Sequence, residues 1–191
     1  MTNSKIKIVL GSSSPRRQQL LKLIVNDFTI RVSNNNEKCS SIKPKDLVQE
    51  ISLNKSNDIP LFPQELLITA DTVVALGDRI FGKPKDYDDA FDILKTLSGR
   101  IHQVYTGVTL RSIEKIDTFV EVTDVTFYEL EDCLIDYYIT NYSPYDKAGA
   151  YAIQEFAAVF VKKIEGDYYN IMGLPIAKLY REIKKFTSNT Y

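Results

Sequence analysis

Short strand-like stretches alternate with segments of helical periodicity along almost the whole chain. In the strand-like stretches, apolar residues either alternate with polar ones or form short runs, and both patterns are typical of β-strands. Strands are expected at residues 6–10, 28–32, 66–76, 79–81, 101–110, 117–127 and 157–164. A short polar turn at Glu114 and Lys115 joins two of these strands into a predicted β-hairpin.

Between the strands, apolar residues recur at the spacing of amphipathic helices, and helix-start residues precede them. Helices are expected to begin at or near Pro15, Pro44, Asp86, Glu131 and Pro175. The buried faces of the second and last helices are expected to comprise Leu47, Val48 and Ile51, and Ile176, Leu179, Tyr180 and Ile183. Helices that alternate with strands, with hairpins in the middle of the chain, predict an α/β fold with a mixed sheet.

Composition places the chain among ordinary globular proteins. Its 191 residues are 44% hydrophobic and 26% charged, enough for one large domain or two small lobes. The net charge of −1 provides no electrostatic footprint for nucleic acid. No apolar run approaches the roughly 20 residues of a membrane span, and no signal peptide is recognisable. We therefore expect a cytoplasmic protein with neither nucleic acid nor membrane as a partner.

Cysteine and histidine supply no recognisable metal or nucleophile motif. The two cysteines, Cys39 and Cys133, are far apart and in no metal-ligand spacing, and His102 is the only histidine. These residues cannot form a zinc site, and they do not favour a Ser-His-Asp triad. We expect His102, alone on a strand, to be structural.

The turn after the first strand carries an unusual pair of cations. Residues 11–14 are small, Ser14 suits a helix N-cap, and Pro15 suits the first helical position. Arg16 and Arg17 then lie in the first helical turn, where the helix dipole disfavours cations. A polyanion bound in the turn would explain them, because N–H groups, serine hydroxyls and guanidiniums together can hold a phosphate chain. A solvated arginine pair beside an ordinary helix is the alternative, and this turn alone does not decide.

The polyanion hypothesis predicts how Arg17 affects the stability of the free protein as well as its binding of the anion. If the partner of Arg17 is an external anion, its guanidinium contributes little to the stability of the free protein. Removing it would relieve an unfavourable dipole contact, so we expect little cost in stability and a large cost in binding.

Four further charged residues each have a functional and a structural interpretation. Asp71 lies in the middle of the most apolar strand, where a carboxylate must be paired, hydrogen-bonded or metal-bound, and we favour function. Lys55 lies near the apolar face of the second helix, where a lysine more often extends its ammonium to solvent. Glu37 lies in the polar loop 34–41, where a solvated acid is the simpler interpretation. Lys83 is not a Walker lysine, because the Gly-x-x-x-x-Gly-Lys-Ser/Thr pattern is absent.

Eight blocks of the sequence together carry a family resemblance. They are Leu10–Arg17 (LGSSSPRR), Glu37, Lys55, Ala70–Val74 (ADTVV), Gly82–Pro84 (GKP), Leu97–Val108 (LSGRIHQVYTGV), Lys147–Gln154 (KAGAYAIQ) and Gly166–Pro175 (GDYYNIMGLP). In this order they resemble, from end to end, the Maf family of nucleoside triphosphate pyrophosphatases, also called septum-formation inhibitor proteins. Gly11 stands where the family usually has Ala, and because both residues are small we expect this difference to change little.

The resemblance implies a fold and an activity. The fold is a single α/β domain over residues 1–191, an elongated mixed β-sheet flanked by helices, with two lobes around a deep cleft. The activity is hydrolysis of dTTP and UTP to the monophosphate and pyrophosphate with a divalent metal ion, Mg²⁺ or Mn²⁺. The nucleotide is the expected partner, and self-association into a homodimer is left open. Two other functions stay open: hydrolysis of modified nucleotides such as m7GTP or ITP, and a non-catalytic role in cell division or septum formation.

The resemblance also implies roles for individual residues. Asp71 is the expected general base and, together with Glu37, a metal partner. The expected phosphate-binding residues are Ser12, Arg16, Arg17, Lys55 and Lys83. Arg16, Thr72 and Gln154 match the base-specificity positions of the branch that acts on dTTP and UTP. The amide of Gln154 offers a donor and an acceptor to the imide edge of uracil or thymine, and the alternative for it is a core amide bonded to backbone.

Overall fold

The computed structural model describes residues 6–32 and 39–188, with the side chain of residue 188 left out, and its elements follow the predicted order closely. The strands are β1 (Lys7–Leu10), β2 (Phe28–Ile30), β3 (Glu65–Leu76), β4 (Arg79–Phe81), β5 (Ile101–Arg111), β6 (Ile116–Phe127) and β7 (Val161–Glu165). The helices are α1 (Pro15–Lys22), α2 (Pro44–Asn57), α3 (Tyr87–Leu97), α4 (Asp132–Tyr142), α5 (Tyr168–Ile171) and α6 (Ile176–Ser188). Short 3₁₀ turns lie at Pro144–Asp146, Ala148–Ala150 and Phe156–Phe160.

All the strands belong to one seven-stranded mixed sheet. Six of them lie in the order β2-β1-β3-β5-β6-β7, and β4 pairs with β3 beside this path. Strand β1 runs parallel to both β2 and β3, whereas the remaining pairs are antiparallel. The predicted α/β fold with a mixed sheet and surrounding helices is confirmed. The assignment of residues 1–191 to a single domain stays a prediction.

One edge of β3 is interrupted, and this interruption places the cleft. Strand β5 pairs with residues 67–75 along the whole of the opposite edge. On the interrupted edge, β1 pairs with residues 65–68 and β4 with residues 74–76. Within the described chain, residues 69–73 therefore have no strand partner on that edge. The chain leaves β1 at this point, where the Gly11 N–H donates to the Ile68 carbonyl at 2.7 Å, and turns into α1.

One face of the sheet carries two apolar clusters instead of a continuous core. Since side chains alternate along a strand, Ile68, Thr72 and Val74 share this face. Ile68 belongs to a cluster under α1 and α6, and Val74 to a cluster under α3 and α4. Thr72 and its partner on β5, Thr106, lie between the clusters. The two lobes are thus the two ends of a shared sheet, separated on this face by polar side chains.

Helix α2 covers the other face of the sheet, and it approaches the strands unusually closely. Its buried residues are Val48, Ser52 and Ser56, and the Ser52 hydroxyl lies 3.0 Å from that of Thr109. A Cβ on Gly107 of β5 would lie 2.3 Å from the Val48 carbonyl oxygen. Only small side chains fit such a contact. The predicted buried face was therefore correct at Val48, whereas Leu47 and Ile51 lie at its margin and are only partly buried.

Three other local predictions differ from the structure. The last strand begins at Val161 because the preceding residues form a 3₁₀ turn that buries Phe160 against Phe127 and Tyr138. Helix α5 was not predicted. In α6, Tyr180 is 44% exposed, and the buried stripe continues to Phe186 instead.

Gly11 is confined by its neighbours. A Cβ at this position would lie 2.5 Å from Thr69 Cγ2 and 2.9 Å from Ile59 Cδ1. The Thr69 side chain cannot turn away without loss, because it is buried and its hydroxyl donates to the Ser52 carbonyl at 2.6 Å. The expectation that Gly and Ala are equivalent at position 11 is therefore wrong for this chain.

Among the helices of the described residues, none has both the length and the apolar character needed to cross a membrane.

The close contact at Gly107 yields a stability prediction. Gly107→Ala places a methyl group 2.3 Å from the Val48 carbonyl oxygen. Overpacking against the backbone of α2 should lower the unfolding free energy by about 3 kcal/mol. Gly82→Ala is the matched control, because a Cβ there meets nothing within 4 Å, and it should change stability by less than about 0.5 kcal/mol. Urea unfolding of both variants measures the difference. Equal stability of the two variants would contradict the close packing of α2.

Candidate active site

A cleft of ≈ 480 Å³ lies at the interrupted edge of β3. Residues 11–17 form one wall, Asp71 and Thr72 of β3 lie at its base, and the segments around residues 146–154 and 171–173 form the other side. Every described residue that the sequence analysis assigned to a site lies in this cleft. Glu37, the expected second metal partner, lies outside the described residues.

The turn from β1 into α1 offers polar groups to the cleft. Ser12 is buried, and its hydroxyl accepts a hydrogen bond from the Ser14 N–H at 3.3 Å. Ser14 occupies the predicted N-cap position and Pro15 the first helical position, but the Ser14 side chain makes no capping hydrogen bond. The first-turn N–H groups of α1, which have no partner within the helix, are therefore not capped by Ser14.

Arg17 is held by three parts of the chain at once. Its Nε donates to the Gly173 carbonyl at 2.9 Å, and its Nη2 donates to the Thr72 hydroxyl at 3.1 Å. Its Nη1 donates to the Ser12 hydroxyl at 3.4 Å. These contacts tie α1 to β3 and to the segment before α6. Because these contacts would be lost, we now expect removal of Arg17 to cost stability in the free protein, contrary to the expectation from the helix dipole alone.

Arg16 has a carboxylate partner within the protein. Its Nη1 lies 3.3 Å from Asp146 Oδ2, and the ammonium of Lys147 lies 2.8 Å from Asp146 Oδ1. Partial burial raises the pKa of Asp146, but attraction to Lys147 and Arg16 outweighs burial and holds that pKa below its usual value. Asp146 is thus an anion that bridges two cations across the mouth of the cleft.

Lys147 is a further cation of the cleft, and no role was predicted for it from the sequence. Its side chain is only 9% exposed, and its ammonium also lies 3.6 Å from a Glu155 carboxylate oxygen. The signal for it was present in the sequence, because Lys147 begins the block KAGAYAIQ that carries the family resemblance. A cation followed directly by small residues indicates a close turn that can approach a ligand.

Asp71 and Lys55 form a partly buried ion pair on the α2 side of the sheet. The Lys55 ammonium donates to Asp71 Oδ1 at 2.7 Å, and the two side chains are 19% and 17% exposed. Lys55 therefore reaches into the site instead of extending to solvent. The close packing of α2 over Gly107, which is the register partner of Asp71, allows this contact.

Two consecutive residues of β3 contribute to the cleft from opposite faces of the sheet. The strand pleat sends Asp71 towards α2 and Thr72 towards the face that bears the apolar clusters. Both line the cleft, because no neighbouring strand covers this edge of β3 in the described part of the chain. A ligand in the cleft can therefore contact groups from both faces.

Lys83 and Gln154 complete the polar lining. Lys83 is exposed directly after β4, and the Gly149 N–H joins the neighbouring loop to this hairpin by donating to the Gly82 carbonyl at 3.0 Å. Gln154 is exposed and lines the cleft, so it is not the buried core amide of the alternative interpretation.

The described residues offer limited means of holding a metal ion. Among residues 6–32 and 39–188, no group of three or more histidines, cysteines or acids lies close enough to form a metal cluster. Two carboxylates lie among the cations of the cleft, Asp71 beside Lys55 and Asp146 between Arg16 and Lys147. Because Mg²⁺ is commonly held by one or two carboxylates together with substrate phosphates, Asp71 fits an ion that arrives with a nucleotide.

His102 has the structural role expected of it. It is fully buried, its Nε2 lies 2.9 Å from the Tyr151 hydroxyl, and its ring packs edge-on against Phe127. Burial lowers the pKa of His102 to about 4, so the ring is neutral at pH 7. Tyr151 in turn lines the cleft.

Comparisons with known proteins identify the family of this chain. The profile of the family described as Maf-like protein matches residues 7–186. The dTTP/UTP pyrophosphatase of Thermosipho africanus (strain TCF52B) is 49% identical over 175 residues, which cover 92% of this chain and 91% of the relative. The dTTP/UTP pyrophosphatase of Carboxydothermus hydrogenoformans is 48% identical over 184 residues, 95% of this chain and 99% of the relative.

A solved structure shares the fold at low sequence identity. The HAM1 protein from Coxiella burnetii superposes with a TM-score of 0.53 at 14% identity, covering 94% of this chain and 99% of that one. The profile match over most of the chain and relatives at almost half identity establish the family. The chain belongs to the Maf-like protein family.

Proposed function

We propose that this protein hydrolyses dTTP and UTP to the nucleoside monophosphate and pyrophosphate. The observation that carries the proposal is the joining of five cations and two carboxylates, Asp71 and Asp146, in the cleft of a chain almost half identical to proteins named dTTP/UTP pyrophosphatases. The cations are Arg16, Arg17, Lys55, Lys83 and Lys147.

Local charge, not net charge, makes this cleft suitable for a triphosphate. The whole protein carries a net charge of −1, so its cations are not in general excess. In the cleft they come from four different parts of the chain: the α1 turn, α2, the residue after β4 and the 146–150 loop. Guanidinium and ammonium groups form strong charge-assisted hydrogen bonds with phosphate oxygens, so such a set can hold all three phosphates.

Asp71 is the group that we assign to proton acceptance. Lys55 donates to its Oδ1, and its Oδ2 is the atom proposed to accept the proton of the attacking water. The water oxygen bonds to the α-phosphorus, the bond from this phosphorus to the bridging oxygen breaks, and pyrophosphate leaves with that oxygen. The Lys55 ammonium keeps the carboxylate oriented in the meantime.

A divalent cation, Mg²⁺ or Mn²⁺, is the proposed cofactor. Asp71 would hold it on the protein side, and Glu37 is the second ligand that the family resemblance implies. Such an ion polarises the phosphoryl oxygens and a bound water when it is present. The carboxylate that would face such an ion is already held in place, because the Lys55 ammonium donates to Asp71 Oδ1 at 2.7 Å.

The nucleobase of the substrate is proposed to lie towards Gln154. Its exposed amide can donate to a carbonyl of uracil or thymine and accept from the imide N–H. Arg16 also lies at the mouth of the cleft, where it forms an ion pair with Asp146. Thr72 accepts a hydrogen bond from Arg17. We therefore propose that Thr72 influences the choice of nucleobase indirectly, because the Arg17 guanidinium positions the nucleotide.

A substrate panel tests the reaction and its cofactor. Pyrophosphate release should be fastest with dTTP and UTP in the presence of Mg²⁺ or Mn²⁺, and EDTA should abolish it. Competition among dTTP, UTP, ITP and m7GTP ranks the bases. Preference for ITP or m7GTP would replace the pyrimidine assignment, and tight binding of every triphosphate without turnover would support a non-catalytic regulator instead.

Asp71→Asn tests the assignment of Asp71 as the general base. The substitution preserves size but removes the proton acceptor, so turnover should fall by roughly 10²-fold or more. Asp78→Asn is the matched control, since Asp78 is an exposed acid in the turn of the same hairpin and should leave turnover unchanged. If Asp71→Asn keeps most of its turnover in steady-state assays, another carboxylate, most plausibly Glu37, is the base.

Arg17→Ala separates binding from folding. Loss of the contacts to Gly173, Thr72 and Ser12 should lower the unfolding free energy by about 1–2 kcal/mol. Use of triphosphate should weaken as well, and a non-hydrolysable dUTP analogue should raise the melting temperature much less than in the parent protein. Arg181→Ala on the exposed side of α6 is the control for charge loss. An intact ligand-induced shift in Arg17→Ala would make this arginine purely structural.

A further inference from the structure

A chain of buried polar groups crosses the sheet between the two apolar clusters. The Thr72 hydroxyl lies 2.9 Å from the Thr106 hydroxyl, and Thr106 donates to the backbone carbonyl of Asn170 at 3.0 Å. Thr106 and Asn170 are both fully buried. At the other end of the chain, Thr72 accepts a hydrogen bond from Arg17 at 3.1 Å.

The direction of these hydrogen bonds is fixed by chemistry. A carbonyl oxygen only accepts, so the proton of Thr106 is committed to Asn170. Thr106 must then accept from Thr72, whose own proton is committed in turn. Thr72 can therefore meet Arg17 only as an acceptor, which is what a guanidinium requires, since it carries donors alone.

The far end of the chain is firmly anchored. The Asn170 side chain donates to the Val104 carbonyl and to the Thr123 hydroxyl, each at 3.0 Å. Thr123 is also bonded to the backbone of Asp167, both to its carbonyl and to its N–H. This network fixes the segment 167–173 on β5 and β6.

The same segment holds Arg17 at two points. Gly173 accepts from Nε directly at 2.9 Å, and Asn170 acts on Nη2 through Thr106 and Thr72. A closed ring results, from Arg17 through two strands to α5 and back. With Nε and Nη2 held, the plane of the guanidinium is set, and Nη1 lies towards Ser12 in the turn that lines the cleft.

We propose that Thr106 is a positioning residue for Arg17, and that its hydroxyl fixes the guanidinium in the orientation that receives a phosphate group. The proposal rests on the proposed function, since triphosphate is the ligand concerned. Thr106 is a costly choice between apolar clusters, because its fully buried hydroxyl must be satisfied by hydrogen bonds. Through Thr106 and Thr72, the polar chain leads from the fixed segment to Arg17 in the cleft.

The test compares two threonines of the same strand in the full-length protein. Thr106→Val removes the hydroxyl that acts on Thr72, whereas Thr109→Val removes an equally buried hydroxyl whose partners, Ser52 and Thr118, lie away from Arg17. The measurements are kcat/KM for dTTP and calorimetric affinity for inorganic tripolyphosphate. Thr106→Val should lower both by roughly 3- to 10-fold, the worth of one hydrogen bond, and Thr109→Val should leave both within about twofold.

Two further variants distinguish positioning from general destabilisation. In an Arg17→Ala background, Thr106→Val should change both measurements by less than about twofold, because its effect passes through the missing guanidinium. Thr106→Ser keeps the hydroxyl and should restore parental values. Equal losses for Thr106→Val in both backgrounds, or equal effects of the two valine variants, would overturn the proposal.

The outcomes also separate this inference from the function on which it rests. If Arg17→Ala weakens tripolyphosphate binding while Thr106→Val resembles Thr109→Val, only the positioning role fails. If Arg17→Ala leaves binding and turnover intact, the proposed phosphate role of Arg17 fails, and the positioning role fails with it.

Discussion

The open stretch of edge on β3 is the constraint on which the site depends. Because β1 ends at Leu10 and β4 begins its pairing at residue 74, residues 69–73 of β3 have no strand partner on one side among the described residues. A continuous strand along this edge would have closed the cleft. Asp71 and Thr72, which point to opposite faces of the sheet, could then not both have lined it. The interruption instead lets the α1 turn approach the strand, so that cations from both faces of the sheet line one cleft with Asp71 at its base.

Much of this could be predicted from the sequence because the signals were local. Apolar spacing located most strands and helices, Asp86 caps α3 as expected, and Gly99 follows that helix with a positive φ of 69°. Asp71 stood out because a carboxylate in an apolar strand requires a partner, and the structure supplies Lys55. Similarly, the arginine pair was identified by its conflict with the helix dipole, and both arginines line the cleft.

What could not be predicted depends on contacts between distant segments. The buried face of α2 is set by its distance from Gly107, and no periodicity within the helix contains that distance. The Arg17 contacts to Gly173 and Thr72 join residues that are 156 and 55 positions apart, so its structural role was invisible beside its chemical one. Lys147 was missed although its ion-pair partners, Asp146 and Glu155, are close to it in the sequence, because the burial of its side chain in the cleft is evident only in the folded chain.

The contact between Gly11 and Thr69 has a consequence for how such a chain can change over time. The methyl group of an alanine at position 11 would lie only 2.5 Å from Cγ2 of Thr69, so the two groups cannot both be accommodated without movement. The two positions are therefore epistatic, and the order of substitutions matters. A smaller residue at position 69 removes the nearer obstacle to alanine at position 11, and Ile59 Cδ1, 2.9 Å from the same Cβ, must then give way, whereas the reverse order passes through an overpacked intermediate. Drift at this wall of the cleft, which Gly11 itself lines, is thus directional.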